Sequence, residues 1–304
     1  MARGPRPRTA PDGLVVLDKP AGMTSHDVVG AVRRALGTRK VGHAGTLDPM
    51  ATGVLLLGVE RATRLLGHLA LVDKAYDATV RLGAATVTDD VEGEVLARSD
   101  ASGVLDADVE AALPALRGRI RQRPSAVSAV KVDGVRSYAR VRAGEDVELP
   151  AREVTVSRLD VVAARRDTVA GLGVLDLDVH VECSSGTYVR ALARDLGEAL
   201  GVGGHLTSLR RTRVGPFDLS AARTLDELEA DPVVLPLDDV VRSAFPTVTV
   251  GKEQVRLVLH GVRIPAPDPV GGAVGPVGVL GPDGAVLALA DVSGPTLAYR
   301  VVFA

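Results

Sequence analysis

The sequence predicts an α+β protein whose main sheet is mixed and largely antiparallel, flanked by helices and followed by a small C-terminal β-domain. Strand and helix patterns alternate through the first 246 residues without a regular β–α–β repeat. From residue 247 the helical pattern vanishes, and short valine-rich pieces alternate with proline- and glycine-rich loops. We therefore divide the 304 residues into a basic, disordered tail (1–12), a large domain (13–246) and a small, β-barrel-like domain (247–304).

Apolar periodicity and turn residues predict the elements of the large domain in order. A buried strand at 14–17 is broken by Lys19 and Pro20, and Ser25 caps a helix that Gly37 ends. The apolar run GVLLLGV (53–59) indicates a central strand, and Pro114 interrupts a helix at 106–118. The remaining predicted elements are a helix at 61–73, a strand at 74–86, a strand, Ser-Ser-Gly turn and helix at 173–201, and a short helix at 224–230.

Composition excludes several classes of protein. The single cysteine, Cys183, excludes a disulfide scaffold and a cysteine-based zinc site, and suits a reducing cytoplasm. The six histidines are scattered without paired spacing, so no metal site is expected. The basic N-terminus has no apolar core of the signal-peptide type, and no apolar run approaches the roughly 20 residues that span a bilayer. We expect a cytoplasmic protein that does not enter a membrane.

Basic residues cluster at three places although the net charge of the chain is only −2. Each cluster alone is typical of a solvated face, but three in a nearly neutral chain also suit binding to a phosphate backbone. The clusters are Arg33, Arg34, Arg39 and Lys40; Arg117, Arg119, Arg121 and Arg123; and Arg210, Arg211 and Arg213.

The tyrosines point in the same direction. The chain has four tyrosines and no tryptophan, so aromatic rings are not routine core filler here. Tyr76, Tyr138 and Tyr188 each have a positive residue within two positions. Rings beside arginines hold unpaired RNA bases by stacking, whereas half-buried structural tyrosines are the alternative interpretation.

The segment KVGHAGTLDPMATGVLLLG (40–58) places one acid, Asp48, in a glycine-punctuated loop directly before the central strand. Gly45 and Gly53 permit tight backbone geometry, and Pro49 fixes φ immediately after the acid, so the loop would aim one carboxylate. Spacing alone is more typical of an aspartate that caps a turn. A lone carboxylate can instead act as a nucleophile where an arginine pairs with it and keeps it ionised.

Six blocks, in order, resemble the bacterial tRNA pseudouridine-55 synthases, the TruB family. The resemblance extends over about residues 13–245 and is weaker in the C-terminal module. The blocks are KPAGMTS (19–25), GHAGTLDPMATGVLLLGV (42–59), DKAYDATVRLG (73–83), SAVKVDGVRSYARVRAG (128–144), CSSGTYVRALARDLG (183–197) and GGHLTSLRRTRVGPF (203–217).

The resemblance implies the roles of individual residues. Asp48 matches the catalytic aspartate, Tyr76 the ring that stacks on the uracil and is favoured for proton removal, and Arg190 the partner of the acid. His43 matches the residue that inserts into the T-loop. Substrate binding is assigned to His43, Tyr188, Leu209, Lys19, Arg210 and Arg211. The C-terminal module resembles a PUA-type RNA-binding domain, and Val127 stands where the family often has a tyrosine.

The implied reaction moves uracil from N1 to C5 attachment on the same ribose of tRNA, in the T-arm. It involves no net redox change or hydrolysis, so no cofactor is expected, and nothing requires more than a monomer. The sequence leaves open whether Asp48 attacks ribose C1′ or uracil C6, or acts through a glycal. A non-catalytic RNA-binding protein on the same scaffold and a nucleoside hydrolase are the alternatives. The first needs neither Asp48 nor Arg190, and the second needs no basic clusters.

Overall fold

The computed structural model describes residues 10–125, 131–132, 135–136, 149–267 and 275–303. Most of the predicted tail, Tyr138 and Val127 lie outside the described residues. The main sheet consists of β1 (Gly13–Lys19), β2 (Val41–Ala44), β3 (Thr52–Val59), β4 (Lys74–Leu82), β7 (Gly118–Gln122), β10 (Arg152–Val169), β11 (Leu172–Cys183), β12 (Gly204–Val214), β13 (Phe217–Asp218) and β14 (Leu235–Pro236). Two small hairpins are β5 (Ala84–Thr86) with β6 (Val95–Arg98), and β8 (Lys131–Val132) with β9 (Val135–Arg136).

The main sheet runs in the order β14-β1-β3-β12-β4-β11-β10-β7, with β2 added to β3 and β13 to β12. All of its described pairings are antiparallel except that of β3 with β12, so the predicted mixed, largely antiparallel sheet is confirmed. The parallel pair is very close at Gly53, which has φ +97. A Cβ atom there would lie 2.2 Å from the carbonyl oxygen of Arg211, so this contact requires glycine.

Helices cover part of the sheet. They are α1 (Ser25–Ala35), α2 (Leu66–Leu69), α3 (Asp106–Ala112), α4 (Val189–Ala199), α5 (Leu225–Ala230), α6 (Leu237–Ala244) and α7 (Lys252–Leu259), with 3-10 turns at Glu60–Leu65, Leu113–Leu116 and Leu219–Ala221. Pro114 lies where α3 changes into a 3-10 turn, as predicted. The helix expected at 61–73 is instead a 3-10 turn followed by the four-residue α2.

The two faces of the main sheet differ along β4 and β11. Alternate residues point to opposite faces of a strand. One face, with Val80, Leu177 and Val181, packs against α1 and α4 in the largest apolar core. The other face, with Asp77 and His180, carries paired polar side chains that are partly exposed.

In the part of the C-terminal module that the structure describes, four strands form a sheet that does not close, unlike the barrel-like structure expected. Within the described residues its order is β15 (Thr247–Thr249), β16 (Val277–Leu280), β17 (Val286–Ser293) and β18 (Thr296–Val302). It also contains α7, although the sequence pattern showed no helix; the carboxamide of Gln254 accepts a hydrogen bond from the Gly251 N–H at its start. The module packs on the large domain through a second core that includes Leu14, Val241 and Phe303.

A candidate active site around Asp48 and Arg190

Asp48 lies in the loop between β2 and β3, which is fastened on both sides of the acid. Before it, the hydroxyl of Ser25 donates to the Leu47 carbonyl at 3.1 Å and accepts from the Leu47 N–H at 2.9 Å. After it, the Gly22 N–H donates to the Pro49 carbonyl at 2.8 Å. Ser25 is buried, so these bonds do not compete with water. The loop therefore holds the Asp48 carboxylate in one direction.

Arg190 forms a two-point ion pair with that carboxylate. Its Nε lies 3.0 Å from Oδ2 of Asp48, and its Nη2 donates to Oδ1 at 3.2 Å. The Arg190 side chain is 6% exposed and the Asp48 side chain 34%. Burial raises the pKa of Asp48 above its ordinary value, and the charge of Arg190 opposes that rise. The pairing expected from the sequence is present.

Arg190 also binds a second acid, which the sequence analysis missed. Its Nη1 lies 3.2 Å from Oδ2 of Asp90, and both side chains are nearly fully buried. Nη1 also donates to the Thr88 carbonyl at 2.7 Å. Asp90 lies between β5 and β6, in a turn where the adjacent pair Asp89-Asp90 reads as ordinary turn chemistry. Only the tertiary fold brings this turn to Arg190, so local spacing carried no signal for it.

The Asp48–Arg190 pair lies in the wall of a cavity of about 260 Å³. Of the residues assigned from the sequence, the structure brings six to this cavity: Asp48, Tyr76, Tyr188, Arg190, Leu209 and Arg211. They come from the 45–51 loop, from β4 and β12, and from the start of α4. The cavity thus combines one ionisable acid, two rings, an apolar wall and two guanidinium groups.

Tyr76 and Tyr188 reach the cavity in different ways. Tyr76 lies on β4 and is 7% exposed, and burial raises the pKa of its hydroxyl above the ordinary value. Tyr188 is the residue that precedes the first turn of α4. Its backbone N–H donates to Oε1 of Gln122 at 2.8 Å, and its carbonyl accepts from Nε2 of Gln122 at 3.0 Å. Gln122 is 1% exposed and was not singled out from the sequence.

Arg210 and Arg211 do not form one phosphate-binding surface, which corrects the prediction for that cluster. Adjacent residues of a strand point to opposite faces. Arg211 is 1% exposed and faces the cavity, whereas Arg210 lies on the other face and pairs with Asp18 at 2.6 Å. A buried side chain of this kind cannot reach a phosphate on the surface of an RNA.

Lys19 is fully buried, so the structure does not place it as a direct contact for substrate. Its ammonium donates to the carbonyls of Pro20, Met23 and Pro49 at 2.9, 2.6 and 3.2 Å. Burial lowers its pKa to about 8, against the opposing charge of Asp48. Its position supports the loop that carries Asp48 rather than the cavity itself.

His43 and the other arginine clusters lie apart from the cavity lining. His43 is half-buried on β2, opposite Leu57 of β3. In the 117–123 cluster, Arg119 pairs with Glu153 at 2.6 Å, so part of that positive charge is neutralised across the strand pair.

Metal ligands and membrane-spanning helices were considered in the sequence analysis, and the structure bears on both within residues 10–125, 131–132, 135–136, 149–267 and 275–303. In that part of the chain, no group of three or more His, Cys, Asp or Glu side chains could hold a metal ion. None of the helices found there is long and apolar enough to cross a membrane.

The fold is that of the pseudouridine synthases. The chain overlays on one chain of a Cbf5–Nop10–Gar1 complex with a TM-score of 0.70 at 28% identity. The overlay covers 96% of this chain and 85% of the matched chain. The chain also overlays on an H/ACA RNP bound to a substrate RNA containing 2′-deoxyuridine with a TM-score of 0.67 at 26% identity, over the same shares of the two chains.

The sequence comparisons narrow this class to one family. Residues 33–189 match the TruB family pseudouridylate synthase N-terminal domain, and residues 190–242 match the tRNA pseudouridylate synthase B C-terminal domain. The tRNA pseudouridine synthase B of Streptomyces griseus is 59% identical to this chain over 286 residues, which are 93% of this chain and 94% of the relative. The tRNA pseudouridine synthase B of Thermobifida fusca is 57% identical over 293 residues, which are 96% of this chain and 99% of the relative. The chain belongs to the TruB family of pseudouridylate synthases.

Proposed function

We propose that this protein isomerises uridine 55 in the T-arm of tRNA to pseudouridine, as a monomer in the cytoplasm and without a cofactor. One observation carries the proposal: the two-point pair of Asp48 with Arg190 in a cavity that also holds Tyr76. Family membership and the names of the relatives support the coarser statement, isomerisation of a tRNA uridine. The position of the uridine, the monomeric state and the cytoplasmic location are part of the proposal.

The chemistry requires the target base to leave the stack, because N1 and C5 of a uracil inside a folded loop are not accessible. In this proposal His43 occupies the space that the nucleotide leaves, and Tyr76 and Leu209 hold the extruded ring. Asp48, kept ionised by Arg190, supplies the negative charge at the reacting glycosidic bond. The bond between ribose C1′ and uracil N1 breaks and a bond between C1′ and C5 of the same base forms, while C5 loses one proton and N1 gains one. Atoms and electrons therefore balance without an external oxidant or reductant.

The test uses an unmodified tRNA transcript and maps pseudouridine by carbodiimide-stop sequencing. Wild-type protein should give one stop in the T-loop, and Asp48→Asn should give none while its tRNA affinity stays within about a few-fold. Binding without a stop in the wild type would indicate a non-catalytic RNA-binding protein. Release of free uracil would indicate a hydrolase.

A further inference from the structure

Arg211 is a buried arginine whose side chain, within the described residues, donates hydrogen bonds to backbone carbonyls. Its Nε donates to the Val54 carbonyl at 2.7 Å and its Nη2 to the Gly45 carbonyl at 3.0 Å. Among the residues that the structure describes, no carboxylate oxygen forms an ion pair with it within 4.0 Å. Arg190, the other arginine of the cavity, meets two carboxylates. A buried charge without a counter-charge is costly, and this one lies in the cavity wall.

Tyr76 lies beside Arg211 in the main sheet. Arg211 and Tyr76 are register partners on β12 and β4, and both side chains line the cavity. Burial raises the pKa of Tyr76, and the positive charge of Arg211 is the first influence that opposes this rise. The geometry therefore sets a fixed guanidinium beside a buried phenol.

The last step of the proposed reaction needs a base. Once uracil is attached through C5, that carbon still carries its hydrogen. The C5–H bond must break, its electron pair forms the C5=C6 double bond, and the former C6=N1 pair moves to N1, which takes a proton from water. A base in the cavity receives the C5 proton. A phenol accepts it only as phenolate, which a dry cavity disfavours unless a cation is close.

We propose that Arg211 is a positioning residue for Tyr76: its guanidinium stabilises the Tyr76 phenolate and thereby allows this side chain to remove the C5 proton. This inference rests on the proposed function. It assigns to Arg211 a role inside the cavity in place of the phosphate contact that the sequence suggested. The proton received by Tyr76 passes to solvent when product leaves.

The other ionisable groups around Tyr76 do not supply this charge. Asp48 is negative and raises the pKa of Tyr76 further. Arg190 is held by its two carboxylates. The remaining two ionisable groups are the Cys183 thiol on β11 and the Lys74 ammonium on β4. Burial raises the pKa of Cys183 to about 11 and lowers the pKa of Lys74 to about 8. The Lys74 ammonium donates to two backbone carbonyls.

The test measures the kinetic isotope effect on removal of the C5 hydrogen. Single-turnover rates are compared for tRNA transcripts with hydrogen or deuterium at uridine C5, from about pH 6 to about pH 9.5. Arg211→Gln should slow turnover at least about tenfold, because proton removal becomes the slow step. Its isotope effect should exceed that of the wild type, and its rate should keep rising to a higher pH. Arg211→Lys, which keeps the charge, should recover part of the rate and lower the isotope effect again.

Two controls isolate Tyr76. Arg81→Gln changes an arginine on the same strand, β4, that pairs with Asp176, and it should leave the isotope effect unchanged. Because Lys74 titrates near pH 8, the pH series is repeated with Lys74→Met in both the wild-type and Arg211→Gln proteins. If Arg211→Gln slows both transcripts equally, with the pH dependence of the wild type, Arg211 only supports the fold and the proposal is wrong. Wild-type protein that makes no pseudouridine would refute the proposed function instead.

Discussion

Arg190 and Asp90 form an ion pair in which both side chains are nearly inaccessible, 6% and 3% exposed, with 3.2 Å between Nη1 and Oδ2. The same guanidinium presents its Nε and Nη2 to Asp48, whose side chain is 34% exposed. One arginine thus connects a fully buried carboxylate to one that faces the cavity. Asp90 supplies the counter-charge that makes a buried guanidinium tolerable, and it fixes the direction in which Arg190 points.

Asp90→Asn should therefore weaken both the fold and the reaction. The substitution keeps the shape but removes the negative charge, so Arg190 loses the charge of one of the carboxylates that it binds. We expect a loss of about 3 kcal/mol in the free energy of unfolding, the lower end for breaking a buried ion pair. Because the charge of Asp90 raises the pKa of Asp48, the acidic limb of the pH–rate profile should also move to lower pH.

Urea unfolding and single-turnover rates test this expectation. Asp176→Asn is the control, because it breaks the pair with Arg81 on the polar face of the sheet. Partly exposed pairs contribute up to about 1 kcal/mol, so this variant should be nearly as stable as the wild type and keep its pH profile. Equal losses in the two variants would mean that Asp90 has no special relation to Arg190.

Substitutions of Arg190 itself should separate charge from geometry. Arg190→Met leaves both Asp48 and Asp90 without their cation, and a loss of about 3–5 kcal/mol in the free energy of unfolding is expected together with loss of turnover. Arg190→Lys restores a positive charge but not two parallel N–H donors. It should recover part of the stability and little of the turnover. Turnover close to that of the wild type in Arg190→Lys would contradict a role for the two-point geometry.

The sequence was most informative where one short segment contained both a recognisable pattern and the functional residue itself, as at Asp48. Asp48 stands in a loop whose glycines and proline are compatible with an aimed carboxylate but by spacing alone suit a turn-capping aspartate better, and the following apolar run predicted the central strand, where β3 lies. The family resemblance then joined Asp48 to Arg190, although 142 positions separate them. The distances of 3.0 and 3.2 Å between Arg190 and Asp48 agree with that pairing. Arg190 reaches Asp48 because the Ser-Ser-Gly turn places it in the first turn of α4.

Residues that act across the fold could not be predicted in the same way. Asp90 and Gln122 lie in a turn and at the end of an edge strand, and each meets its partner only after the main sheet has formed. The arginine cluster at 210–213 was misread because its charges were counted without regard to the two faces of a strand. The helix α7 was missed because it is only eight residues long and stands among valine-, glycine- and proline-rich segments, although its sequence KEQVRLVL is rich in helix-forming residues.

Lys74 should make stability depend on pH. Its folded pKa is about 8 against an ordinary 10.5, because burial disfavours its charged form. Between these values the unfolded chain binds more protons than the folded protein, so the free energy of unfolding should rise with pH. The slope from one such group is at most about 1.4 kcal/mol per pH unit. Lys19 behaves alike, with a folded pKa also near 8.

Urea unfolding from about pH 8 to about pH 9.5 measures that slope, below the range where tyrosines in the unfolded chain titrate. Lys74→Met should flatten it by up to about 1.4 kcal/mol per pH unit, and it should make the protein more stable at the lower end of the range. Lys252→Met, on the exposed start of α7, is the control and should leave the slope unchanged. A slope that Lys74→Met does not alter would show that Lys74 is not held in the folded protein at a lowered pKa.

Gln122 is expected to affect the reaction rate through the two hydrogen bonds that its carboxamide makes to the backbone of Tyr188. Those bonds fix the residue that precedes α4, and Tyr188 and Arg190 both reach the cavity from there. In Gln122→Glu, an ionised carboxylate keeps only the bond that it accepts and faces the Tyr188 carbonyl with a like charge. A protonated carboxyl can make both bonds, as the amide does.

The rate of Gln122→Glu, divided by that of the wild type at the same pH, should therefore rise as pH falls. Burial and the facing carbonyl raise the pKa of the introduced carboxyl above its ordinary value of about 4.3, while Arg152, its register partner, and the flanking Arg121 and Arg123 oppose that rise. The only other glutamine, Gln254, accepts a single backbone bond far from the cavity, and Gln254→Glu keeps that bond. The control ratio should be flat with pH. A flat ratio for Gln122→Glu as well would mean that the bond donated to the Tyr188 carbonyl does not position the start of α4 for the reaction.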